Sequence, residues 1–90
     1  MREGPVKVVN DLGLHARAAA QLVKVASGFR SSIELRNPTY DRSANARSIL
    51  NVLTLSGSKG SVLSLNVTGE DEDPAFEAIQ DLFSRGFGEL

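Results

Sequence analysis

The chain has 90 residues, no cysteine, and ten basic against eleven acidic residues for a net charge of -1. Those counts exclude disulfides, thiol catalysis and thiolate metal sites, and they lack the basic excess of a nucleic-acid coat. With 41% hydrophobic and 23% charged residues, one domain over residues 1–90 is expected. No run approaches the ~20 apolar residues of a membrane span, and no apolar leader is present, so the expected location is cytoplasmic.

Pro5 to Asn10 is rich in valine and predicts the first strand, with proline at its start. Asn10-Asp11-Leu12-Gly13 is turn chemistry. A helix follows from His15 or Ala16 to Ser27, its core stripe Ala19, Leu22, Val23 and Ala26 at 3–4 spacing and Gly28 as a left-handed stop. Arg17, Gln21 and Lys24 fall on the other face. Ser31 to Arg36 predicts strand two with Ile33 and Leu35 inward; Asn37-Pro38-Thr39 turns, and Tyr40 to Ala44 is a weaker third strand.

Asn45 or Ser48 can cap a short second helix ending near Leu53. The run from Ile49 to Leu55 holds more apolar residues than one buried face of so short a helix can use, so some must lie elsewhere or be exposed. Ser56 to Gly60 is a loop, and Val62 to Thr68 alternates as strand four with Leu63, Leu65 and Val67 inward. After Gly69, the acidic run Glu70 to Asp73 reads as a solvated turn, and Asp73-Pro74 as a cap followed by proline at the first helical position. Phe76, Ile79, Leu82 and Phe83 give the last helix a buried stripe, Gly86 stops it, and Phe87 to Leu90 reads as a fraying tail. The order βαββαβα predicts an α+β two-layer sandwich, with three helices on one face of a four-stranded antiparallel sheet.

The only histidine, His15, stands where the first helix begins. The first amides of a helix lack internal partners and its dipole makes that end partly positive, so an anion there meets ready donors. That end favours a neutral, nucleophilic imidazole. Arg17 adds a planar fork suited to phosphate. The plainer reading makes His15 a capping residue and Arg17 a surface helix former. A metal site lacks a second histidine or any cysteine to complete it, and no cofactor is expected.

Gly13-Leu14-His15-Ala16-Arg17 followed by Ala19-Ala20-Gln21 resembles the active-site signature of the HPr family, the phosphocarriers of the bacterial phosphoenolpyruvate-dependent sugar phosphotransferase system. Arg47-Ser48-Ile49-Leu50-Asn51-Val52-Leu53-Thr54-Leu55 with Lys59-Gly60 resembles that family's regulatory-serine helix, and Gly69 to Glu72 its last turn. The resemblance implies an open-faced sheet of order 1-4-2-3, and a carrier rather than an enzyme. By it, Nδ1 of His15 takes phosphate from enzyme I and passes it to sugar-specific IIA domains. Arg17 stabilises the phosphoryl group, together with the backbone of Ala16, Arg17 and Ala18. Ser48 is then the target of an HPr kinase/phosphorylase. The same carry-over makes Ala20, Lys24, Arg47, Ile49, Leu50 and Leu53 the docking surface of a cytoplasmic monomer, with no nucleic acid and no membrane insertion. Ala18 departs from the family's usual proline and keeps an amide donor in the first turn. Two rivals stay open: a regulatory HPr-like carrier of a nitrogen-related branch, and a non-catalytic α+β interaction module.

Overall fold

The structure, a computed structural model, describes residues 1–90. Its elements are β1 (Arg2–Lys7), α1 (Ala16–Ala26), β2 (Ser32–Asn37), β3 (Arg42–Asn45), α2 (Ile49–Leu53), β4 (Val62–Thr68), α3 (Glu72–Ser84) and a closing 3₁₀ turn, Gly86–Gly88. The four strands form one antiparallel sheet in the order β1-β4-β2-β3, as the resemblance implied. Leu65 on β4 faces Gly4 of β1 and Leu35 of β2, which fixes the register on both sides of the central strand.

Alternation does the sorting. Ile33 and Leu35 on β2 and Leu63, Leu65 and Val67 on β4 are buried, while Val62 and Thr68 at the ends of β4 are exposed. A one-residue slip would put every one of these side chains on the wrong face. The helices close the same face with Ala18, Ala19, Leu22 and Ala26 from α1, Val52 from α2, and Ala75, Phe76, Ile79, Leu82 and Phe83 from α3. Leu65→Ala in such a core would cost about 2–5 kcal/mol.

Several expectations need correction. β1 begins at Arg2 and leaves the ladder after Lys7, because its six pairings with β4 run from Arg2–Val67 to Lys7–Val62. Pro5 therefore lies mid-strand, which an edge strand tolerates. In α1 the core position expected of Val23 goes to Ala18, and Val23 is only half-buried. Gly28 is not left-handed: the helix ends through Ser27 at φ -69°, with Gly28 N–H on the Val25 carbonyl. α3 starts earlier than Asp73-Pro74 indicates, with Asp71 at its N-cap position and Pro74 the third helical residue. A proline there still sits among the helix's unpaired first donors, so no bond is lost.

The acidic turn is more than a solvated loop. Asp71 accepts from the Arg30 and Ser31 amides, both at 2.9 Å, and from the Ser31 hydroxyl at 2.5 Å. Close by, Arg47 donates to the carbonyls of Phe29 and, at 2.7 Å, Ser31. The segment between α1 and β2 is thus held by a carboxylate on its donors and a guanidinium on its acceptors. Gly69 allows the approach: it adopts φ +151°, and a Cβ there would fall 2.7 Å from Ser31 Cα.

The Ser31 hydroxyl, then the Arg30 amide, lower the Asp71 carboxyl from 3.8 to about 2, against a smaller opposing effect of burial. The folded value lies below the unfolded one, so this stabilisation is complete above about pH 4 and is lost as pH falls toward 2. Denaturation midpoints measured from pH 5 to pH 2 are expected to fall less steeply in Asp71→Asn than in the unmodified chain; parallel curves would contradict the clamp.

Candidate functional site

The turn that delivers His15 is set by two close approaches. Gly13 adopts φ +65°, and a Cβ on it would come within 2.4 Å of the Gly57 carbonyl. The next amide, Leu14 N–H, bonds that same carbonyl at 2.8 Å. Leu14 is buried, so the chain is pinned one residue before the imidazole. His15 then takes an extended conformation, φ -74° and ψ 178°, as the N-cap of α1.

The ring is held from both sides. Its Nδ1 accepts from the Arg17 amide at 3.3 Å, the long bond of a loosely made cap. Its Nε2 lies 2.6 Å from Oε2 of Glu89. An amide can only donate and an ionised carboxylate can only accept, so the neutral ring carries its proton on Nε2 and keeps a lone pair on Nδ1. The amides of Ala16 and Ala18 have no acceptor within the protein. A lone pair and unengaged donors therefore share the open end of α1, which is an arrangement for a nucleophile that acquires an anion.

Glu89 lies in the stretch Phe87 to Leu90, whose pattern indicates a fraying tail. The tail is docked. Phe87 is 2% exposed and meets Phe83 edge to face with centroids 5.0 Å apart, a contact contributing about 0.5–1.5 kcal/mol beyond its buried area. Gln21 of α1 donates to the Phe87 carbonyl at 3.1 Å. Positive φ at Gly86, Phe87 and Gly88 folds the chain back so that Glu89 reaches His15. A large aromatic between two glycines was the available signal.

Asn10 donates to the other oxygen of Glu89 at 2.9 Å. This bond, foremost, and that from His15 hold the Glu89 carboxyl below its usual value against burial, and Arg17's positive charge adds a smaller effect. Arg17 is exposed and makes no side-chain ion pair; its cleft is shared with Asp11, Leu12, Gly88 and Glu89. The His15 ring and the first amides of α1 share one end of the helix, Arg17 lines the adjoining cleft, and Glu89, which the sequence did not indicate, borders both.

The other expected residues divide. Ser48 caps α2, its Oγ accepting from Asn51 N–H at 3.3 Å, a bond contributing about 0.5–2 kcal/mol. Ile49, Leu50 and Leu53 are 41%, 77% and 41% exposed while Val52 turns inward, which accounts for the apolar excess in this segment. Ala20 and Lys24 are exposed on α1. Arg47 does not rim this patch with a free charge, because its guanidinium is spent on the Phe29 and Ser31 carbonyls. No cluster of three or more histidine, cysteine, aspartate or glutamate side chains could hold a metal ion, and no helix is long and apolar enough to cross a membrane.

An α+β sandwich with an imidazole lone pair beside unengaged amides at a helix N-terminus defines a class of small protein with room for an anion next to a histidine. The family model described as the PTS HPr component phosphorylation site matches residues 3–85. The phosphocarrier protein HPr of Xylella fastidiosa (strain Temecula1) is 44% identical over 89 residues, covering 99% of this chain and 98% of that protein. The crystal structure of HPr-C-His from Thermoanaerobacter tengcongensis superposes with a TM-score of 0.93 at 39% identity, covering 100% of this chain and 99% of the other. An HPr dimer from the same organism superposes at 0.77, with 39% identity and coverage of 99% and 100%. The chain belongs to the HPr component family of the phosphotransferase system, whose members are phosphocarriers and not enzymes.

Proposed function

We propose that residues 1–90 act as a single phosphocarrier domain in which Nδ1 of His15 accepts a phosphoryl group from phospho-enzyme I and passes it to a sugar-specific IIA domain. The Nδ1 lone pair attacks phosphorus, a P–N bond forms, and the bond to the donor breaks with its electron pair returning to the donor. No proton need leave Nδ1, because it carries none. The observation that supports this reading most is the 3.3 Å contact between Nδ1 and the Arg17 amide, a cap weak enough for phosphoryl oxygens to replace.

The amides of Ala16, Arg17 and Ala18 would then donate to the phosphoryl group, Ala18 supplying a donor that proline would not. Arg17 balances charge in the in-line transfer. Glu89 has the opposite effect: its carboxylate beside a dianion raises the energy of the phosphorylated state and favours handing the group on.

Docking falls to Ala20, Lys24, Ile49, Leu50 and Leu53, an exposed apolar surface with a cationic edge. Arg47 supports it indirectly by fixing the segment before β2. Such a surface suits enzyme I and IIA partners that present apolar faces ringed by acidic groups, with brief encounters. A carrier that offers one face to successive partners works as a cytoplasmic monomer.

Ser48 is the regulatory site in this reading. A phosphate adds about -1.5 to -2 charges at the start of α2, beside the docking residues, and repels an acidic partner.

Two experiments test these assignments. With enzyme I and labelled phosphoenolpyruvate, the chain should acquire acid-labile phosphate that His15→Ala abolishes and Arg17→Ala slows by roughly 10- to 100-fold, the loss of one charged contact to the transferring group. Absence of label on the unmodified chain would favour the interaction module. Separately, an HPr kinase with ATP should place acid-stable phosphate on Ser48, and that form should take phosphate from enzyme I more slowly; no incorporation returns Ser48 to a simple cap.

A further inference from the structure

Asn10 has no place in the chemistry described so far, yet it is 0% exposed and joins the turn before His15 to the chain's closing segment. One Nδ2 group donates 2.9 Å to the Gly13 carbonyl and 2.9 Å to Oε1 of Glu89. Both partners are acceptors, so the amide orientation follows from the chemistry: nitrogen must face them. Its own Oδ1 is then left buried with no partner. Buried polar atoms are nearly always satisfied, and an exception calls for a reason. A residue serving only to fill this turn would not need to strand an oxygen.

The reason lies in what the two bonds connect. Gly13 belongs to the turn that sets the position of the His15 backbone, and Glu89 bonds the far nitrogen of the His15 ring. Asn10 therefore references both ends of the imidazole to one rigid amide. Because Oε1 is occupied by Asn10, Oε2 is the oxygen turned to Nε2, and the carboxylate cannot rotate freely or swing out with the tail. A fixed acceptor on one ring nitrogen decides which nitrogen is protonated, as outer partners do for metal-bound histidines.

We propose that Asn10 is a positioning residue: by holding the Glu89 carboxylate against Nε2, it keeps the neutral His15 ring in the tautomer whose Nδ1 is free. Its value for transfer rests on His15 being the phosphoryl acceptor; its effect on the tautomer does not.

The test uses the full chain labelled with ¹⁵N at the His15 ring, observed at a pH where the ring is neutral. Ring nitrogen shifts give the ratio of Nε2–H to Nδ1–H forms. That ratio should be high in the unmodified chain and fall roughly tenfold in Asn10→Leu, which keeps the volume and removes the donor. A folded Asn10→Leu with an unchanged ratio, even if less heat-stable, reduces Asn10 to a structural role and overturns the proposal. Should that variant fail to fold, Glu89→Gln decides: it should shift the Asn10 side-chain amide signal and lower the same ratio, and an indifferent Asn10 signal overturns the proposal equally. Phosphate uptake from phosphoenolpyruvate and enzyme I is read on the same samples. A biased ring that accepts no phosphate supports the positioning role and refutes the carrier reading.

Discussion

The site depends on one imidazole suspended between two unlike partners. On one side is the amide of Arg17 at 3.3 Å; on the other is the carboxylate of Glu89 at 2.6 Å. The bonds are unequal, and the inequality is useful. The short bond to a charged acceptor fixes the ring and its proton, while the long one leaves a nitrogen that a reacting group can claim. Helix α1 supplies the remaining donors at no conformational expense, since its first amides are unpaired in any helix.

Everything around the ring keeps those partners in place. The crossing of Gly13 over Gly57 pins the chain before His15. Phe87, wedged against Phe83, anchors the tail that brings Glu89 back. Farther off, Asp71 and Arg47 secure the segment between α1 and β2 from opposite sides, so that α1 is fixed at its far end too. The exposed apolar residues of α2 lie on a short helix that packs against α1 and stay at the surface. The sheet carries these parts through a core built on simple alternation.

Much of this could be read from residue types alone. Strand four, the core stripe of α3, the Ser48 cap and the position of His15 at a helix start all follow from local pattern, because each depends on neighbours a few residues away. The strand order needed the resemblance, since alternation says which face a strand buries but not which strand it joins. The failures share a cause. Glu89 lies 74 positions from His15, and Phe87 between two glycines marks an anchored tail without saying which side chain the next residue meets. Arg47 next to a candidate regulatory serine looked like surface charge, and only the folded chain shows carbonyls within its reach. Asp73-Pro74 carried a strong start signal, yet Asp71, whose carboxylate is drawn to Ser31, sets the true beginning of α3.

The measurement closest to the centre of this account is a ¹⁵N–³¹P correlation on the phosphorylated chain, which identifies the nitrogen bonded to phosphorus. The account requires the direct coupling at Nδ1 of His15, with Nε2 still protonated. Phosphorus found on Nε2 would mean that the Glu89 bond is surrendered on phosphorylation and that the ring is not held in the manner described.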